Sequence, residues 1–255
     1  MRSVALVLFP ALLMAQSGRT QAVPRMGGKP DLTGVWQGGS TIPGSWEEAN
    51  RGFGVGGSGR DASAPALPSS NDRVGGGPPY NAEAAKKVME SYKMRGIDDP
   101  TARCLPPGIP RANTLGLFPI QIVQTPKTVA LLFEQSTWFH SVPVDGRGHR
   151  KQDPTWFGDS VGRWEGDTLV IDSVNFNGYT RMDTVGHPHS DQLHLIQRFT
   201  RTDRGHMRYE VIVDDPKTYT KTWKNTRTFI LRPDWELIEY SCEENNRDFT
   251  EGHIK

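Results

Sequence analysis

Beyond Phe118, apolar and polar residues alternate with a period of two in one segment after another. That spacing belongs to a strand with one buried and one wetter face. Leu193, Leu195, Gln197 and Phe199 alternate with His194, Ile196, Arg198 and Thr200. Met207, Tyr209, Val211 and Val213 alternate with Arg208, Glu210, Ile212 and Asp214. PIQIVQT and KTVALLFE flank a turn at Pro126 and predict a hairpin, with STWFHSVPV directly after it. VGRWEGDTLVIDSV predicts a second hairpin that turns at Glu165-Gly166-Asp167. Tyr219 to Leu231 and Trp235 to Cys242 predict two final strands joined at Pro233-Asp234. Upstream, Leu32, Val35 and Trp36 read as a short first strand ended by Gly38 and Gly39.

Short turns make consecutive strands antiparallel neighbours. An open meander of this many strands leaves two bare edges, and closure into a barrel removes them. The expected fold is therefore all-β, an antiparallel β-barrel, with a two-sheet β-sandwich as the alternative. One helix is predicted over 81–94. Asn81 is a favourable N-cap, Val88 and Tyr92 share a face, and Gly96 ends the run. Residues 38–80 hold 11 of the 27 glycines, with several prolines and serines. Such a stretch buries too little apolar surface to order itself, and it reads as a flexible excursion. The domain plan is a signal peptide over 1–22, a first strand within 23–37 and the excursion over 38–80. The helix with a proline-rich linker follows over 81–117, and the main β domain over 118–255.

The N-terminus changes the picture of where the protein works. Arg2 precedes an apolar run from Val4 to Met14, and small residues follow at Ala15 and Ala22. That order predicts a secretory signal peptide and a periplasmic or secreted protein. The run is shorter than the roughly 20 residues that a membrane helix needs, so no integral span is expected. In an oxidising compartment the two cysteines, Cys104 and Cys242, are expected to form a disulfide; two buried free thiols are the alternative. The formal net charge is +1, and Lys and Arg are interspersed with Asp and Glu. This balance argues against nucleic acid as a partner, which needs a concentrated basic face. Oligomeric state is not legible.

Gly34-Val35-Trp36 on the first strand, followed by an antiparallel meander, resembles the lipocalin-like (calycin) barrels. There the tryptophan closes the barrel floor, and the resemblance gives that place to Trp36. The blocks DDPTARCLPPGIPR, DPTWFGDSVGRWEGDTLVID, GHPHSDQLH, DDPKTYTKTW and RPDWELIEYSCEENNRD resemble those of a family of exported bacterial proteins. That resemblance implies export and a single shared domain, and it implies no reaction.

Candidate chemistry centres on GHPHSDQLH. In an extended segment His187 and His189 point the same way, and Pro188 favours that conformation. With His194 they are candidate ligands of a divalent metal, in the three-ligand pattern of catalytic zinc. The metal-free version pairs His189 with Asp191 (or Asp183) as an acid–base couple. The bland alternative is a turn whose histidines satisfy local hydrogen bonds. Ser160, in FGDSVGRW, lacks the glycine pattern of a nucleophile elbow.

Aromatic side chains that alternate into a barrel line a cavity or fill a core. The candidate ligand-binding set is Trp138, His140, Trp156, Tyr179, Arg198, Tyr219 and Trp223. Arg163, Arg198 and Arg227 all lie on predicted strands, and an inward arginine suits an acidic ligand. Three functions follow as expectations: an exported barrel binding a small apolar or aromatic molecule, a barrel lyase, isomerase or hydrolase using His187 and His189, and a structural envelope protein. A cavity separates the first two from the third.

Overall fold

The computed structural model describes residues 22–39, 78–94, 99–114, 118–182, 187–244, 246 and 251. Most of the expected signal peptide and excursion, and Asp183, lie outside the described residues. A small hairpin comes first, β1 (Arg25–Met26) with β2 (Lys29–Pro30). The remaining strands are β3 (Gly34–Gly39), β4 (Ile120–Gln124), β5 (Thr128–Phe133), β6 (Phe139–Pro143), β7 (Asp159–Glu165), β8 (Thr168–Val174), β9 (His194–Arg201), β10 (His206–Asp214) and β11 (Trp223–Leu231). They form one antiparallel sheet in the order β6-β5-β4-β3-β11-β10-β9-β8-β7. The sheet curls until its end strands meet, giving a nearly closed barrel. At that seam a Cβ on Gly162 of β7 would lie 2.7 Å from Val144 Cγ1 and 3.0 Å from Val142 Cγ1. The barrel expectation holds and the sandwich is not adopted.

Alternation decides the inside. Leu195, Gln197 and Phe199 of β9, Met207, Tyr209, Val211 and Val213 of β10, and Arg227 and Phe229 of β11 are buried. The rings of Tyr209, Phe199 and Phe229 pack with centroids 4.9–6.3 Å apart. Trp36 is fully buried, donates from Nε1 to the Leu32 carbonyl at 2.9 Å, and carries the Arg201 guanidinium on its ring. Gly34 has φ +137°, and a Cβ there would come within 2.8 Å of Leu231 Cδ1, so the strand before Trp36 needs glycine.

The helix α1 (Ala82–Lys93) starts where its cap predicts, with Asn81 Oδ1 accepting from Ala84 N at 2.8 Å. Asn81 also ties the helix to the turn after β10, donating from Nδ2 to the Lys217 carbonyl and from its backbone N–H to that of Thr218. A single turn, α2 (Arg111–Thr114), is wholly buried against β3. Among the described residues no helix is long and apolar enough to cross a membrane.

Two strand expectations are corrected. The predicted strand over Trp235 to Cys242 is an irregular segment outside the sheet. β11 already pairs with β3 on one edge and β10 on the other, so no edge is left for it. Trp235, Ile238 and Tyr240 are accordingly exposed. The segment is pinned instead by Ile238 N donating to Glu134 Oε2 and by Cys242, whose sulfur bonds Cys104 with Cα atoms 5.5 Å apart. The strand predicted from Tyr219 begins only at Trp223, because Asp215 Oδ1 accepts from Lys217 N and holds residues 215–219 in a turn.

Candidate functional site

The barrel interior, where alternating aromatics either line a cavity or fill a core, holds the cluster of buried core side chains over the described strands. One polar cluster within it lies on α2, β9, β10 and β11. Gln197 Oε1 accepts from Tyr209 OH at 2.9 Å and from Asn113 Nδ2 at 2.5 Å. Burial raises the Tyr209 phenol well above its ordinary range and keeps it neutral. Of the three candidate arginines only Arg227 turns inward. Arg163 and Arg198 lie on the outer face, both bonded to Glu165. The strand pleat explains the split: Arg198 sits between the inward Gln197 and Phe199 and must point out.

The other ligand-binding candidates fall in three separate places. Trp138 and His140 stand at the seam around Phe157. Trp156 and Tyr179 pair at 5.9 Å, with Tyr179 largely exposed. Tyr219 and Trp223 pair at 5.3 Å beside the histidine loop, where Tyr219 OH donates to the Pro188 carbonyl at 2.8 Å. They do not line one cavity.

The candidate metal ligands are also kept apart. His187 is fully buried against the Tyr80 ring. His189 uses both nitrogens inside its own loop, Nε2 with Thr180 Oγ1 at 2.5 Å and Nδ1 with the Ser190 carbonyl at 2.9 Å. A carbonyl only accepts, so Nδ1 carries the proton and Nε2 receives the Thr180 hydroxyl. Burial lowers the His189 pKa, which keeps the ring neutral near pH 7. His194 Nε2 lies 2.9 Å from Asp172 Oδ1 on the outer barrel face. Among the described residues no three His, Cys, Asp or Glu side chains are arranged to hold a metal ion.

The acid–base partner is corrected too. Asp191 is exposed and pairs with Lys217 Nζ at 2.8 Å, not with His189. The carboxylate that organises the loop is Asp215, buried, accepting from Ser190 N at 2.6 Å and Ser190 Oγ at 2.7 Å. Asp215 and Thr180 were not legible as site residues, because only the fold brings residues 180, 189 and 215 together. Asp215 carries one local signal, the Asp-Pro that opens a turn.

These contacts build one wall of a groove outside the barrel. Its volume is about 1050 Å³, and α1 forms the facing wall. Ala84 and Lys87 of the helix and Met94 just after it line the groove, with Asn177, His189 and Lys217 opposite. No strand residue contributes. Lys87 is engaged by Glu83 at 2.9 Å and Lys217 by Asp191, so the rim charges are largely paired.

The chain matches no family model and no curated protein.

Proposed function

We propose that this is an exported β-barrel protein that binds a small apolar or aromatic molecule, and that the groove beside α1 is the site. The observation that carries the reading is the groove itself. About 1050 Å³ matches the size of sites that hold small organic molecules, which run to roughly 1,000 Å³. With Lys87 and Lys217 engaged by carboxylates, Met94, Pro188 and the lysine stems offer apolar contact among the polar lining residues. Export rests on the signal-like N-terminus, and the Cys104–Cys242 bond is consistent with an oxidising compartment.

The test has two parts. Native mass spectrometry of the protein taken from the periplasm of an expressing bacterium should find a retained small molecule. The emptied protein should bind the dye anilinonaphthalene sulfonate, and Met94→Asp should weaken that binding by about tenfold, or about 1.4 kcal/mol. Folded protein that retains nothing and ignores the dye overturns the reading.

A second reading, a lyase, isomerase or hydrolase, is favoured by the Thr180 hydroxyl donating to a neutral imidazole, the geometry of a nucleophile and its base. Against it, Thr180 is buried under Gly108, where a Cβ would stand 2.9 Å from its Oγ1. His189→Ala should loosen the loop, read as faster amide exchange over residues 187–193.

A further inference from the structure

The loop over residues 144–158 joins β6 to β7, the two strands where the sheet ends. It therefore spans the barrel seam. Its hold on the outer face centres on His149. Nδ1 lies 3.1 Å from Asp159 Oδ2 on β7, and Nε2 lies 3.2 Å from Asp172 Oδ1 on β8. Both carboxylates have other partners. Asp159 is buried and accepts from Arg150 N at 2.7 Å and Arg150 Nε at 2.9 Å. Asp172 Oδ1 also faces His194 Nε2 of β9 at 2.9 Å.

Hydrogen-bond stoichiometry makes this arrangement depend on a proton. A neutral imidazole has one N–H and one lone pair, and a carboxylate oxygen only accepts. Either neutral tautomer of His149 therefore turns a lone pair toward a carboxylate oxygen about 3 Å away. Only the imidazolium donates to Asp159 and Asp172 together, through charge-assisted bonds. His194 makes no such demand, because one N–H satisfies its single bond to Asp172.

We propose that His149 is a proton-operated latch: protonated, it clamps the loop over residues 144–158 across β7 and β8, and deprotonated, it lets that loop lift from the seam. The facing groups are Asp159, Asp172, Arg150 and His194. Burial opposes the charge on Asp159, and the bonds from Arg150 and His149 outweigh it and hold the carboxyl below its ordinary range. The switching proton is then that of His149. Other anchors, such as Asn175 Nδ2 donating to the Gln152 carbonyl at 2.9 Å, keep the loop attached, so the expected motion is local.

Amide hydrogen exchange of the intact protein tests this, corrected for intrinsic rates, at about pH 5 and about pH 8. In the wild type, protection of residues 144–158 should fall by about tenfold at the higher pH, while β9 and β10 stay unchanged. His149→Gln should show low protection at both pH values. His194→Gln should keep the pH response. Equal protection at both pH values in the wild type overturns the latch. A response that survives His149→Gln, or that vanishes in His194→Gln, also overturns it.

Discussion

The seam between β6 and β7 has two faces, and a histidine stands on each in a different way. Inside, His140 Nε2 meets Ser160 Oγ at 2.8 Å, and Ser160 Oγ meets Ser173 Oγ at 2.6 Å. All three residues are buried, and burial pushes the His140 pKa down to about 4. This bridge is neutral and built of hydroxyls. Outside, His149 is about one-third exposed and stands between two carboxylates. This bridge is ionic and needs a proton. The same side chain acts as a neutral hydrogen-bonding wedge where water is excluded and, in the latch we propose, as a proton-operated clamp where water remains. The inner contact joins the two end strands, which share no ladder, whereas the outer one ties the loop between them to β7 and β8.

The largest expected effect that separates the faces is on global stability in acid. The His140 pKa is lower folded, about 4, than unfolded, 6.5. Above 6.5 both states are neutral and nothing is lost. As pH falls from 6.5 to 4 the unfolded chain takes up a proton that the folded one refuses, so stability falls. The shift corresponds to about 3 kcal/mol at most. Urea unfolding of wild type and His140→Asn across this window should show that slope reduced in the variant. Parallel curves would mean that His140 is not the group responsible.

Next comes the close approach itself. Gly162→Val forces a side chain against Val142 and Val144. It should cost about 1–3 kcal/mol by overpacking, read as a lower urea midpoint with unchanged slope. An unaffected midpoint would mean that the seam is loose. Smaller still, His149→Gln should change global stability by about 0.5 kcal/mol or less near pH 7, because its bonds are local and partly wet. A loss above about 2 kcal/mol would show that the outer bridge, not the inner one, closes the barrel.

Much of this fold was legible from residue patterns. The alternation of Leu195, Gln197 and Phe199 placed β9, and Asn81 placed the start of α1. The pairing of Cys104 with Cys242 followed from compartment. What escaped was whatever depends on neighbours far along the chain. Trp235 to Cys242 has strand-like composition, and no free edge receives it. His187, His189 and His194 sit close in sequence, yet β9 begins at His194 and carries it to the outer face beside Asp172. His149 lies in the polar stretch DGRGHRKQD, and only the fold sets it between carboxylates of two strands. Ser160 was weighed as a nucleophile on glycine pattern alone, whereas its partner His140 lies on β6, at the other end of the sheet.

The sequence by itself determined most of the strands, the helix cap and the alternating apolar set that faces inward, because period and capping are local properties of the backbone. Only the tertiary structure decided that the interior is filled by Trp36, Tyr209 and Phe229 and that the open volume lies outside the strands, beside α1. It alone decided which carboxylate each histidine meets. Those outcomes depend on sheet order and closure, which bring β6 to β7 and Asp215 to Ser190, and no local spacing encodes such distances.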